Sequence, residues 1–538
     1  MSSNYQIAGN IVDPVSKRIF KGVLYIENGV IVKIDEKDDI EERFILPGFV
    51  DSHVHIESSM LSPVKFAEAA VKHGTVAVVA DPHEVANVAG VDGVEFMINS
   101  SKDAKMKMYF GAPSCVPASP IDECFQEFSS KEISFLLDLP QVKCLAEMMN
   151  FPGVINKDKH VLSILNEAKK RNLPIDGHAP GLSGDDLEKY VAEGISTDHE
   201  CFTLQEALAK IELGMKVLIR EGSAAKNFDS LHSLISSHPE MVMFCTDDCH
   251  PDELQVAHIN KHVKKALRLG YDLFDVLQVA SINPVKHYNL EVGLLQVGDP
   301  ADFVIVDNLD DFKIIGTYIK GENVTSICNS SESIKIPEYE FINSFAKEKI
   351  RVNFSVNKTV KVIEVIDGEL ITNKLLHKAN GNVYDTENDI LKIVVQSRYN
   401  SNNLGVGFIK GFGLKDGAIA ASIAHDSHHV VSVGANDESI RKAVEYVVGN
   451  RGGLCYYDGA NVYGMPLPFY GLMTVYDVET AARLYSEINE RLKKDGCVLH
   501  APFMTMAFMS LSVIPHLKLT PQGLFDVDNF SLTDLVDL

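Results

Sequence analysis

Apolar and polar positions fall into three textures along the chain. Residues 1 to about 45 alternate with a period of two, as in GVLYIENGVIVKIDE. Asn28-Gly29 interrupts that run where a tight hairpin needs two residues of positive φ. The same texture returns at GDPADFVIVDN and FKIIGTYIKGE. Strand-rich pieces on both sides of one long block predict a small β-sandwich built from residues 1–45 and 290–337. Between them, over 46–289, eight short apolar runs take turns with amphipathic stretches: FILPGFVD, TVAVVAD, KMYFGAPS, VKCLAEM, LPIDGH, GISTDH, MKVLIR and MVMFCTD. Ser62-Pro63 opens one helix and Gly74 stops it; Asp185 opens another that closes at Gly194. Eight strand–helix units predict an α/β fold, a (β/α)8 TIM-like barrel. From 338 to 538 the texture is mixed α/β, with helices expected over Asp437 to Asn450 and Asp477 to Lys494, so a separate C-terminal domain is predicted.

Length and charge narrow the picture. A chain of 538 residues exceeds one ordinary core. A formal charge of −24 argues against a general binder of phosphate backbones, so no nucleic-acid partner is expected. The nine cysteines are scattered, odd in number and without a C-x-x-C pair, which suggests reduced thiols and a cytoplasmic protein. The start, MSSNYQIAGN, has no basic segment followed by an apolar core. The longest apolar stretch, Ala501 to Ile514, is too short to span a bilayer, so no membrane partner is expected.

The ends of the apolar runs carry the chemistry. His53 and His55, Asp81, Glu147, His178, His199 and Asp247 each close a run. In a parallel barrel the active site lies at those strand ends. Ionisable groups are costly to bury, so their repetition there points to function. His53 and His55 stand two apart, on the same side of a strand, and can converge on one ion. Imidazole suits zinc, iron, manganese and similar ions. A lone HxH is equally well a structural pair, Glu147 a salt-bridged strand end, and His178 or His199 a hydrogen-bonded core histidine. Asp247 has Asp248 as a rival. Together, four histidines and two carboxylates suit two metal ions sharing a hydroxide, with the aspartate accepting and returning its proton.

The segments PGFVDSHVHIESSM, ADPHEVANVAG, AEMMNFPGV, DGHAPGLSG, STDHE and CTDDCHPDEL, in this order, resemble the bacterial adenine deaminases of the amidohydrolase superfamily. The resemblance extends to GFGLKDGAIAASIAHDSHHVVSVGAND and so covers nearly the whole chain. Many superfamily members carry a carboxylated lysine at the bridging position; Glu147 stands in that context here, as it does in adenine deaminases. The resemblance implies purine salvage by conversion of adenine to hypoxanthine and ammonia, the bridging hydroxide attacking C6. It implies His53, His55, Glu147, His178, His199 and Asp247 as ligands of two divalent ions, manganese or iron with zinc also compatible. It further implies Asp247 as proton shuttle and a homo-oligomer.

Secondary candidates surround this set. Asp81, His83 and Glu84 follow the second run; the resemblance implies that the Asp81 carboxylate and the His83 imidazole face the purine ring, with Glu84 relaying a proton to N1, although acidic groups also favour any helix start. Arg220 and Asp248 are weaker substrate-binding candidates. His425, His428 and His429 fit a second metal site, a wall of the active site or an exposed strand edge equally well. Gly411-Phe412-Gly413 is read as a turn. Two other readings stand beside the first: a cyclic-amide or cyclic-amidine hydrolase or N-acyl deacetylase of the same superfamily, which the metal site alone would serve, and a non-catalytic metal-binding or assembly protein, against which the complete ligand set argues. A zinc deaminase of the P-C-x-x-C kind does not fit, because that motif is missing.

Overall fold

The computed structural model describes residues 4–38, 40, 42–223, 225–325, 335–352, 358–379 and 384–537. Cys328, residues 326–334 of the second flank and Asn353 to Val356 of the RVNFSV run lie outside the described residues.

Both flanks meet as the alternation predicts. Strands Tyr5–Asp13, Arg18–Glu27, Val30–Glu36, Phe44–Pro47, Phe303–Val306, Ile314–Ile319 and Glu322–Asn323 form one seven-stranded sheet. Asn28 and Gly29 turn Arg18–Glu27 into Val30–Glu36 with φ of 50° and 80°. Hydrogen bonding runs through all seven strands, and at the far edge Val30 also bridges Pro300, just before Phe303–Val306, so the sheet folds back on itself. Phe44–Pro47 lies between the two flanks, parallel to Tyr5–Asp13 and antiparallel to Phe303–Val306, and so joins them. Ile11, Leu24, Ile45, Phe303 and Ile305 bury one shared apolar cluster there.

The run FILPGFVD therefore divides. Its first half belongs to the flank sheet and its second half, Phe49–His55, begins the central block. Gly48 is the joint: a Cβ on it would come within 2.3 Å of the Val76 side chain. Only glycine lets the chain pass that close to the next strand.

In the central block the strands are Phe49–His55, Thr75–Ala80, Lys107–Ala112, Val142–Met148, Ile175–Gly177, Thr197–Asp198, Lys216–Arg220 and Val242–Cys245, the last continued by Asp247–Asp248. They pair in parallel as a curled sheet. A single parallel bridge from Ile175 to Ile195 links its two portions, and Asp247–Asp248 pairs with Val54–His55. Strands buried on both faces read as continuous apolar runs, which is why TVAVVA lacks alternation. Helices lie between successive strands. Pro63–Ala70 starts at Ser62-Pro63 and its chain stops at Gly74 with φ of 85°, as expected, although the Ser62 side chain makes no capping bond.

The C-terminal unit contains an eight-stranded sheet and a three-stranded one. Helix Asp437–Gly449 buries Ile440, Ala443, Val444 and Val447 against Val394, Ala418 and Val430 of the larger sheet. Helix Val478–Lys494 is capped by Asp477, which accepts from the Thr480 N–H at 2.8 Å. Gly411 and Gly413 form the predicted turn; both N–H groups donate to the Asp389 carboxylate, at 2.8 and 2.6 Å. This unit rests on the central block: Thr474 N–H donates to Met60 O at 2.7 Å, and Tyr399 Oη–H donates to Asn87 O at 3.0 Å. No helix among the described residues is long and apolar enough to cross a membrane.

Candidate metal centre

The six expected ligands converge. His53 and His55 share one side of strand Phe49–His55, and their Nε2 atoms lie 3.2 Å apart. His55 Nδ1 lies 3.1 Å from the carbonyl oxygen of Asp81. A carbonyl only accepts, so the proton of neutral His55 sits on Nδ1 and the lone pair of Nε2 points toward His53 and the carboxylates. Glu147 and His178 stand at the ends of the fourth and fifth strands, and His199 follows the sixth. Glu147 Oε2 lies 2.6 Å from His178 Nδ1 and 3.1 Å from His199 Nε2, while its Oε1 is 3.5 Å from His55 Nε2. One carboxylate thus faces histidines on both sides, the arrangement a bridging ligand requires.

Asp247 closes the ring with φ of 56°, a left-handed conformation that aspartate tolerates better than most residues. Its Oδ1 lies 3.1 Å from His55 Nε2 and 3.8 Å from His53 Nε2. Its Oδ2 accepts from Arg220 Nη1. Burial alone would raise this carboxyl; the guanidinium prevails and holds it well below the usual carboxylate range. Burial likewise opposes ionisation of Glu147, and His178 followed by His199 outweighs it. Donor atoms of His55, Asp81, His83 and Glu147 lie within 4.8 Å of one another, as do those of His53, His199 and Asp247 and those of Glu147, His178 and His199. Facing lone pairs on buried imidazoles, ringed by ionised carboxylates, fit divalent metal ions.

The other expected residues lie around this ring. Asp81 accepts from the His83 N–H at 3.1 Å, and its Oδ2 is 3.1 Å from His83 Nδ1. His83 Nδ1 is also 3.4 Å from Glu147 Oε1, and its Nε2 is 3.5 Å from Glu84 Oε1. Asp248 accepts from Ser58 Oγ at 2.5 Å and lies beside His55 and Asp247. Both terminal nitrogens of Arg220 are engaged, Nη1 with Asp247 and Glu200 and Nη2 with Glu200 at 3.1 Å. His425, His428 and His429 are buried, which removes the exposed-edge reading. His425 and His428 reach Glu84, whereas His429 Nδ1 accepts from the Arg398 N–H.

Three participants were not anticipated. Glu200, next to His199, pairs with Arg220 and stands 3.4 Å from His199 Nε2. Glu57 accepts from the Val85 N–H at 3.2 Å, at the start of helix His83–Ser101, and burial pushes its carboxyl up to about 7. Asp51 accepts from the N–H groups of His53 and Thr246 at 3.3 and 3.1 Å. The only sequence signal for Glu200 and Asp51 is that each directly flanks a motif histidine or its alternating partner.

A curled parallel sheet with a buried histidine–carboxylate cluster at its strand ends defines a metal-dependent hydrolase of the amidohydrolase family, whose profile matches residues 44–324. Residues 369–531 match the adenine deaminase C-terminal domain. The chain is 48% identical over 548 residues to the adenine deaminase of Methanosarcina mazei, covering 98% of both chains. It is 49% identical to that of Methanosarcina acetivorans, again over 98% of both. It is 45% identical to that of Borreliella burgdorferi, over 98% of this chain and 99% of the relative. The chain belongs to the adenine deaminase family.

Proposed function

We propose that this chain hydrolyses adenine to hypoxanthine and ammonia at two divalent cations held by His53, His55, Glu147, His178, His199 and Asp247. The observation that carries the reading is the end-to-end likeness to proteins named adenine deaminase, at 45–49% identity in the three relatives above. The six parallel strand pairings, the Ile175–Ile195 bridge and the Asp247–Asp248 link to Val54–His55 support a closed (β/α)8 barrel as the scaffold.

Two bound cations would supply an acidified water as nucleophile for purine C6. Imidazole and carboxylate donors suit manganese, iron and zinc; manganese or ferrous iron is our reading. Asp247 keeps Oδ1 toward His55 while Arg220 holds Oδ2, so a single oriented oxygen takes a proton and returns it to the departing amino nitrogen. Glu84 relays a proton to ring N1, and His83, fixed by Asp81, lies between Glu84 and Glu147. Asp248 lines the same end of the sheet. Eight described cysteines are free thiols, which supports a reducing, cytoplasmic setting.

The test is ammonia release from adenine, with adenosine as control, after reconstitution of metal-depleted protein with manganese or ferrous iron. Metal-dependent formation of hypoxanthine, abolished in Glu147→Gln, is the expected result. A protein loaded with two equivalents of metal that leaves adenine unchanged would overturn the reading.

A further inference from the structure

We infer that the C-terminal unit completes the catalytic site, with His425 and His428 as positioning residues that clamp the two oxygens of Glu84. The inference rests on the reading of Glu84 as the relay to the substrate ring. Glu84 is the second residue of helix His83–Ser101 and is buried. His425 Nδ1 lies 2.5 Å from Oε1, and His428 Nε2 meets Oε2. Both partners come from more than 340 residues further along the chain. A glutamate side chain has several rotatable bonds, and burial opposes its charge. Two oriented partners fix both the rotamer and the ionised state. Burial alone would raise its carboxyl, yet His425, whose own imidazole is raised to about 9 beside it, brings it well below the usual range.

Glu84, His425 and His428 also have the composition of a metal site, and their donor atoms lie within 4.8 Å of one another. Hydrogen bonding decides between the two roles. The Ala424 N–H donates to His428 Nδ1 at 3.2 Å, so the ring proton of neutral His428 sits on Nε2. That nitrogen donates to Glu84 and has no lone pair for a cation. Burial, which lowers this imidazole to about 4, keeps it neutral.

The surroundings of His428 are built to hold it. Its φ is 51°, its N–H donates to Ala424 O at 2.7 Å, and its carbonyl accepts from Arg398 Nη1 at 3.3 Å. Arg398 is fully buried and gives Nη2 to Tyr470 O at 2.6 Å, a costly use of a guanidinium on backbone carbonyls. The ring of His425 stacks on Phe508, centroids 4.6 Å apart. The contacts hold the backbone of His428 and the ring of His425, the two residues that meet Glu84.

The experiment compares His428→Leu with His428→Gln in the full, manganese-loaded chain. Glutamine restores an N–H donor, and both substitutes meet the same left-handed backbone. His428→Leu is expected to lose about 100-fold in kcat for adenine, a cost typical of a misplaced catalytic group, with KM and a metal content of two equivalents unchanged. His428→Gln is expected to recover most of the loss. Equal losses in both variants, wild-type kcat in His428→Leu, or a third equivalent of metal in wild type that disappears in His428→Gln would each overturn the clamp. Should the leucine variant not fold, long-range 15N–1H spectra of histidine-labelled protein read the same point. The ring signal absent from His428→Gln must carry its proton on Nε2 and shift in Glu84→Gln; a proton on Nδ1 overturns the inference. That readout is independent of adenine turnover, so failure of the adenine reading and failure of the clamp are told apart.

Discussion

Arg220 holds one oxygen of Asp247 while the other faces His55 at 3.1 Å. The guanidinium is itself tied to Glu200 through both terminal nitrogens. The seventh strand thereby sets the orientation of a carboxylate on the eighth. Replacing Arg220 by Met removes the fork and leaves two buried carboxylates without their guanidinium partner. We expect metal affinity and kcat each to fall by roughly 10- to 100-fold, the usual cost of losing a partner behind a ligand. Arg220→Lys should recover only part of the loss, because an ammonium can stand in for Nη1 between Asp247 and Glu200 but cannot replace the second bond, from Nη2 to Glu200. Wild-type metal binding in Arg220→Met, measured by competition with a chelator, would refute this role.

Metal removal should be visible in stability as well as activity. Without cations, ionised Glu147 and Asp247 are left beside His55, His178 and His199 in a buried ring. A ligand that binds only the folded state stabilises it by mass action, about 2.7 kcal/mol at a hundredfold excess over Kd. Dialysis against a chelator should therefore lower the melting temperature, and added manganese should raise it again in a concentration-dependent way. A melting curve indifferent to metal would count against any cation in this ring.

The site was legible where its residues lie at strand ends. His53 and His55 are two apart, and Glu147, His178 and His199 each close a short apolar run, so strand geometry alone gathers them. What escaped depends on contacts across long stretches of chain. Nothing near Glu84 announces His425 or His428, because the docking of a distant sheet decides that pairing. Phe44–Pro47 reads as one run with Phe49–His55; only the close approach of Gly48 to Val76 shows that the run changes sheets. The order of the flank strands was hidden for a related reason, since alternation marks strands but not which strand lies between two others.

Lys518 offers a pH test away from the metal centre. It lies fully buried in strand Leu517–Thr520, and its Nζ donates to Leu370 O at 2.9 Å. Burial lowers its pKa from 10.5 to about 7. The unfolded chain thus binds more protons between pH 7 and 10.5, so stability rises with pH through that window. Below pH 7 the lysine is charged in both states and the full burial penalty remains. Lys518→Met should stabilise the protein by a few kcal/mol at pH 6, and the gain should shrink steadily toward pH 10. A gain independent of pH in thermal or urea denaturation would show that Lys518 carries no such penalty.

Asp51 lies beneath the centre and joins the first strand to the last. It accepts from the N–H groups of His53 and Thr246 through Oδ1, and from Thr246 Oγ at 2.5 Å through Oδ2, which also lies 3.1 Å from His258 Nε2. His258 Nδ1 in turn lies 2.7 Å from Thr75 Oγ1 on the second strand. One carboxylate therefore fixes the backbone of His53, a proposed ligand, and of the residue before Asp247. Asparagine keeps the size but replaces one accepting oxygen by a donating NH2, which must face a donor. Asp51→Asn is expected to fold, to bind metal about 10- to 100-fold more weakly, and to lose kcat in parallel. Asp51→Leu should not accumulate as folded protein, because it leaves two N–H groups and a hydroxyl buried without an acceptor. Metal titration of Asp51→Asn is the decisive measurement: wild-type affinity would mean that the strands hold the ligands in place without this carboxylate.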